Sequence, residues 1–347
     1  ELEIAYRISR GDFVAITGTN GKTTTTTLVG EIFKRSGRST YVVGNIGVAV
    51  ISKALDTEEG DWLITETSSF QLQTTRYFKP VVSAILNITP DHLNRHHTME
   101  NYSLAKAKIF ANQDKNGFCV INADDPICVR LSEKCKAKVI KLSTSSELEE
   151  GAYLKEGALV LASGGKIFRL CEADELKIIG MHNVQNALAS AAICFAAGID
   201  IQTIAEGLKE FGGVEHRIEY CGLVDGVRYY NDSKATNVDA AVTAIDAIGK
   251  DIILIAGGDG KGQEFDELIK NFRGRVKHLM LLGRDGPAIG RAAVENGYTD
   301  FTYCANMEEC VREAAKIASE GDTVLLSPAC ASWDMYDNFE QRGRHFK

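Results

Sequence analysis

Short apolar runs ending in Gly, Asn or Asp alternate along this chain with stretches of helical periodicity, the signature of a parallel sheet covered by helices. In the first half the runs predict strands at Phe13–Thr17, Tyr41–Val43, Trp62–Thr65, Ala84–Ile88, Phe118–Asn122 and Lys138–Leu142. A helix is predicted over Thr24–Ser36, where Leu28, Val29, Ile32 and Phe33 share one face. Residues 150–180 are punctuated by glycine, and Ala158–Leu161 with Lys166–Leu170 suggest a hairpin appended to the sheet.

Helical patterns follow at Asn183–Ala197 and Ile201–Phe211, and then Gly212-Gly213 interrupts any regular element. Beyond it the alternation restarts. Strands are predicted at Ile218–Leu223, Val227–Asn231, Asp251–Ala256, His278–Leu282, Asp300–Tyr303 and Thr323–Leu326, with helices at 237–249, 264–272, 286–296 and 307–319. The fold class is therefore α/β. Two domains are expected, 1–213 with a mostly parallel sheet and 214–347 as a second, Rossmann-like α/β unit, with the paired glycines as hinge.

Composition narrows the function. The 347 residues are 44% hydrophobic and carry 39 basic against 47 acidic side chains, a net charge of −8. That balance argues against general nucleic-acid binding, which needs a basic face. No apolar stretch is long enough to cross a bilayer, so no membrane partner is expected. Nine cysteines without a CxxC pair argue against a zinc ribbon or a disulfide framework and suit buried thiols in a reducing cytoplasm. The chain opens on Glu1 rather than Met, so a fragment or processed product is expected.

Gly18-Thr19-Asn20-Gly21-Lys22-Thr23-Thr24 joins an apolar strand to an amphipathic helix. Free backbone N–H groups and the positive end of a helix dipole then meet at the strand's carboxyl end, a phosphate site. Lys22 suits the β/γ-phosphates and the Thr23 hydroxyl suits Mg²⁺. The loop is a shortened variant of GxxxxGK[ST], and without a base-reading NKxD motif it favours ATP over GTP. Glu66 and His92 also follow apolar runs, so parallel strands would bring both to the same end as Lys22, a pairing suited to a divalent ion beside a triphosphate. Spacing alone reads His92 more simply as a loop histidine, and nothing in the pattern separates Lys106 from Lys108.

Taken together, TGTNGKT, ETSSFQL, LNITPDHLNRH and YSLAKAKIF resemble the Mur ligases, the ATP-dependent amino-acid-adding enzymes of peptidoglycan synthesis. HNVQNALA, EHR, NDSKATN, GGDGKG and SPACASWDMYDNFEQRGRHF are similar to the D-glutamate-adding branch of that family. The resemblance spans essentially the whole chain. It implies that Gly18, Thr19, Asn20, Gly21, Lys22, Thr23 and Thr24 hold ATP, that Thr23, Glu66 and His92 position Mg²⁺, and that Lys106 becomes a carbamate able to ligate a second Mg²⁺. It further implies Asn186, Arg217 and Asp232 at adenine, phosphate and ribose. Asn45, Ser68 and Gln71 would face the acceptor, and Lys234, Thr236, Lys261, Ser332 and Phe339 would surround D-glutamate. The expected acceptor is UDP-N-acetylmuramoyl-L-alanine, activated as an acyl phosphate in the cytoplasm by a monomer. The family's N-terminal uridine-nucleotide domain has no counterpart ahead of the phosphate-loop strand, which leaves the acceptor's uridine half without a site in this chain. Two alternatives stand beside this reading: another amide ligase such as a folylpolyglutamate synthase-like enzyme, and a silent nucleotide-binding module.

Overall fold

The structure, a computed structural model, describes residues 1–45 and 47–347. The chain divides into two compact units, Glu1–Phe211 and Gly212–Lys347. The first runs α1 (Leu2–Ile8), β1 (Asp12–Thr17), α2 (Lys22–Arg35), β2 (Thr40–Gly44), α3 (Ile51–Ala54), β3 (Trp62–Glu66), α4 (Ser69–Gln73), β4 (Val82–Ile85), α5 (Leu93–His96), α6 (Met99–Ala107), β5 (Phe118–Asn122), α7 (Pro126–Ser132), β6 (Lys138–Ser143), β7 (Gly151–Lys155), β8 (Ala158–Ser163), β9 (Lys166–Glu172), α8 (Met181–Ala196) and α9 (Ile201–Glu210).

Its nine strands form one sheet in the order β2-β3-β1-β4-β5-β6-β7-β8-β9, parallel from β2 through β7 and antiparallel thereafter. β1 is buried along almost its whole length, as a strand covered on both faces must be. Phe13 and Ala15 join a core with Leu63, Ile85, Tyr102 and Ile109. The apolar face of α2 is buried, and the Ala-rich α8 packs closely against it. Chain order reverses around β1, which lies between β3 and β4. The segments leaving these three strands therefore emerge side by side, where open α/β sheets bind ligands.

Two expectations are corrected here. The strand expected at Ala84–Ile88 is β4, two residues earlier, because residues 87–89 leave the sheet to brace the loop after β1: Thr19 N donates to Asn87 O (3.0 Å) and Asn20 N to Asn87 Oδ1 (2.8 Å). The appended hairpin is the end of a three-strand extension, because β7 pairs parallel with β6 before β8 and β9 turn back. The strand β7 and the short N-terminal α1 were not expected.

The second unit runs β10 (Glu219–Val224), β11 (Val227–Asn231), α10 (Val238–Ile248), β12 (Ile252–Gly257), α11 (Asp266–Lys270), β13 (Val276–Leu282), α12 (Gly286–Glu295), β14 (Phe301–Tyr303), α13 (Met307–Ile317), β15 (Thr323–Leu326) and α14 (Phe339–Phe346). Its sheet order is β10-β11-β15-β12-β13-β14, parallel apart from the β10–β11 pair. β15 separates β11 from β12, so the loops after these three strands gather at one end of the sheet. Two apolar clusters cover the sheet, one including Ile245, Leu254 and Ile289, the other including Ile253, Met280 and Phe346. Among the described residues no helix is long and apolar enough to cross a membrane.

Candidate functional site

The loop after β1 is held open by its own neighbours. Gly21 caps α2 at φ 80°, and a Cβ there would come within 2.3 Å of Asn186 Oδ1. Asn186 is buried on α8; it accepts from Thr25 Oγ1 (3.4 Å) and its amide donates to Asn183 Oδ1 (3.1 Å). It therefore supports the loop from beneath. Lys22 Nζ donates to the carbonyls of Gly18 (2.9 Å) and Thr19 (2.8 Å), folding its ammonium back over the loop. Asn20 is exposed, while Thr24 is buried in the first turn of α2.

Glu66 ends β3, buried, and both of its oxygens are engaged. Thr23 Oγ1 donates to Oε2 (2.8 Å) and Asn45 Nδ2 to Oε1 (3.0 Å). Gly44 makes this approach possible, because a Cβ at its φ of 117° would lie 2.2 Å from Glu66 O. A hydroxyl, a carboxylate and an amide thus converge beside the phosphate loop, oxygen-rich chemistry that fits Mg²⁺.

A cleft of about 130 Å³ is lined by Lys22, Asn45, Ser68, Ser69, Phe70, Asp91, His92, Tyr102 and Lys106. His92 adopts φ 51° at its rim, packs against the Phe70 ring (4.9 Å between centroids) and lies 3.4 Å from Asp91. Lys106 is 2% exposed, which sets it apart from the half-buried Lys108. Its Nζ donates to Gly18 O (2.7 Å) and lies over the Tyr102 ring. Burial, then the nearby Lys22 charge, pull the Lys106 ammonium down to about 7.

Ser68 lines this cleft, whereas Gln71 does not. The two side chains form the capping box of α4, with Gln71 Oε1 accepting from Ser68 N and Oγ, both at 3.0 Å. Sequence reasoning passed over Tyr102, whose hydroxyl meets Thr19 Oγ1 (3.1 Å), and Phe70, the platform under His92. An aromatic residue inside an amphipathic helix reads as core, so Tyr102 offered no separate signal.

In the second unit Asp232 follows β11, buried. Ser327 Oγ donates to its Oδ2 (2.8 Å) and the backbone of Ile218 lies 3.3 Å from Oδ1. Burial pushes this carboxyl up to about 7 against those bonds and the Arg217 charge. Lys234 Nζ sits 3.9 Å from the centre of the Phe339 ring, and Lys261 Nζ 5.3 Å from that of the exposed Trp333. Thr236 is half-buried beside this turn, and Ser332 is buried. The missed residue here is Arg342 on α14, 2% exposed, whose Nε and Nη2 donate to Ser233 Oγ (3.0 Å) and Ser233 O (2.8 Å). Nothing in its spacing marks it as buried.

One trio among the described residues has metal-ligand proximity, Glu215, His216 and Glu219. Lys347 Nζ already bridges its carboxylates at 2.7 and 2.9 Å. Asn231 Oδ1 accepts from Ser233 N, which leaves Nδ2 to donate to His216 Nδ1 (2.8 Å) and fixes the proton on Nε2. Neither nitrogen then offers a lone pair to a metal.

Models of two protein families match the chain: the Mur ligase middle domain over residues 16–194, and the Mur ligase glutamate ligase domain over residues 216–330. The chain is 52% identical over 350 residues to the UDP-N-acetylmuramoylalanine--D-glutamate ligase of Alkaliphilus oremlandii, covering 100% of this chain and 76% of that one. The like-named enzyme of Thermoanaerobacter pseudethanolicus is 50% identical over 349 residues, with 100% and 77% covered. The solved UDP-N-acetylmuramate-alanine ligase of Thermotoga maritima shares the fold at TM-score 0.70 and 21% identity, over 99% of this chain and 76% of that one. With both family models matched in order and half its residues shared with such relatives, the chain belongs to the Mur ligase family, ATP-dependent ligases of peptidoglycan-precursor synthesis.

Proposed function

We propose that this chain adds D-glutamate to UDP-N-acetylmuramoyl-L-alanine through an acyl-phosphate intermediate. The observation that carries the reading is the cleft lined by Lys22, Asn45, His92 and the buried Lys106, with Asn45 donating to Glu66, which also accepts from Thr23. The L-alanyl carboxylate attacks the γ-phosphate of ATP, ADP leaves, and the amine of D-glutamate displaces phosphate from the acyl carbon. Gly18, Thr19, Asn20, Gly21 and Thr24 shape the phosphate loop, and Lys22 leaves its carbonyl partners to stabilise charge on the transferring group. Asn45 and Ser68 orient the acceptor carboxylate. Gln71 holds Ser68 in place rather than touching substrate.

Thr23, Glu66 and His92 would hold Mg²⁺, which when bound neutralises polyphosphate charge. The Lys106 amine, brought down to about 7 by burial, is able in its neutral form to add CO₂ at Nζ with release of one proton, giving an anionic carbamate. Asn186 supports the nucleotide from below the loop, and Arg217 and Asp232 are further proposed ATP contacts. Lys234, Thr236, Lys261, Ser332 and Phe339 receive D-glutamate, whose two carboxylates need cations. The relatives named as D-glutamate ligases support that choice of amino acid.

ATP-dependent phosphate release, measured with a panel of nucleotide-sugar acceptors and amino acids, tests the assignment. Release is expected only with UDP-N-acetylmuramoyl-L-alanine and D-glutamate together; a preference for L-glutamate or a diamino acid defeats it. Lys22→Ala in the intact enzyme should lower kcat about 10²-fold or more, as loss of a transition-state donor does.

A further inference from the structure

An open surface depression of about 640 Å³ is lined by Gln73, Arg95, His96, His97, Asn101, Leu104, Ala105 and Lys108. Among the described residues its lining contains no carboxylate. Among the described residues, Arg95, His97 and Lys108 make no ion pair: Arg95 lies over the Phe70 ring at 5.3 Å, and Lys108 Nζ donates to the Gln73 carbonyl at 2.7 Å. One wall is fixed. His96 is 3% exposed, tied to Ser69 by Nε2 (3.0 Å) and stacked on Phe70, and its backbone carbonyl accepts from Asn101 Nδ2 (3.0 Å).

The charges with the largest effect on His96 are basic ones, and the nearby Asp91 carboxylate stands against His92 in the neighbouring cleft. Burial lowers the His96 pKa first, and His92, Arg95, Lys106 and His97 lower it further. A surface that gathers cations with no carboxylate in its lining draws anions. An arginine fork and a lysine point charge in one such hollow suit phosphate oxygens.

We propose that this depression binds a phosphate- or diphosphate-bearing anion, at a site separate from the ATP phosphate loop. Arg95 and Lys108 are its principal contacts, and His97 lines the same surface. Two sources share that chemistry, free inorganic phosphate and the diphosphate of the nucleotide-sugar acceptor. The second rests on the ligase reading above, and the first does not.

Inorganic pyrophosphate, titrated calorimetrically at low salt without Mg²⁺, is the probe. The parent chain is expected to bind it at two sites. Lys22→Ala should lose one of them, and Arg95→Gln/Lys108→Gln the other, weakening that affinity about tenfold or more. Lys316→Ala, a charge loss on the exposed face of α13, serves as the control and should change neither. Circular dichroism spectra matching the parent exclude misfolding of the double variant. Unchanged pyrophosphate affinity and stoichiometry in a folded double variant would overturn the proposal, whatever reaction the chain performs. In the ligase assay, a raised KM for the acceptor in the double variant identifies its diphosphate as the occupant, while an unchanged KM identifies free phosphate.

Discussion

Lys106 shows how burial turns an ordinary residue type into a reagent. An ammonium that ordinarily titrates at 10.5 falls to about 7 because almost no water reaches it and Lys22 lies nearby. The folded chain therefore lacks a proton that the unfolded chain holds between about pH 7 and 10.5, so stability should rise with pH across that window. Below about 7 both states carry the proton, and the full cost of burying it is present. Lys106→Met should raise stability at pH 6 by about 1–3 kcal/mol and flatten the slope above 7. Denaturant melts in CO₂-depleted buffer read this directly, and an unaltered slope would refute the neutral amine. Gly21 is the second residue whose identity follows from geometry. Gly21→Ala faces both a positive φ and the Asn186 oxygen at 2.3 Å, and should cost about 1–3 kcal/mol. Adding Asn186→Ala removes the clash but not the dihedral strain, so about 1 kcal/mol should remain in thermal melts of the double variant.

Elements differ in how plainly they announce themselves. β1, β3, β5 and β12 are apolar runs because both faces of each sheet are covered, and their positions follow from the sequence pattern. β7 is short and glycine-led, α1 spans only seven residues, and α14 is mostly polar, so none of them carries a long apolar pattern. The same limit applies to the site. TGTNGKT is legible because strand, loop and helix dipole occupy adjacent residues. The burial of Lys106 and the clamp made by Arg342 arise from segments far apart in sequence, and no local pattern carries them. Arg342 joins α14, which bears Phe339, to the turn that bears Lys234. Its Nη1 is buried without a partner, so the guanidinium is an incompletely satisfied group. Arg342→Met should relieve that cost but leave Ser233 O without its donor, a net change of about 1–3 kcal/mol or less. The sharper effect is expected on the amino acid's KM, because the Lys234 turn loses its anchor. A raised KM with little change in melting temperature would separate positioning from stability.

Across the whole molecule there are two units, each with its own sheet and core, and the proposed reading divides the chemistry between them. Lys22, Glu66, His92 and Lys106 belong to the first, and Lys234, Lys261, Ser332 and Phe339 to the second. Carboxylate and amine do not condense unaided in water, so the proposed reaction assigns activation of the acid to first-unit residues and binding of the amine to second-unit residues. The division makes a prediction about independence. Lys261 is exposed, with its ammonium over the Trp333 ring, and its neighbours in that loop belong to the second unit alone. Removing it should weaken the hold on a dicarboxylate without disturbing the phosphate loop. Lys261→Ala is expected to raise the KM for D-glutamate about tenfold or more, the loss of one charge-assisted contact, while the Kd for ATP stays within about twofold. Steady-state kinetics and nucleotide titration on the same preparation give both numbers. If ATP affinity fell while the D-glutamate KM held, Lys261 would belong to the nucleotide, and the assignment of amine delivery to the second unit would have to be redrawn around Lys234 alone.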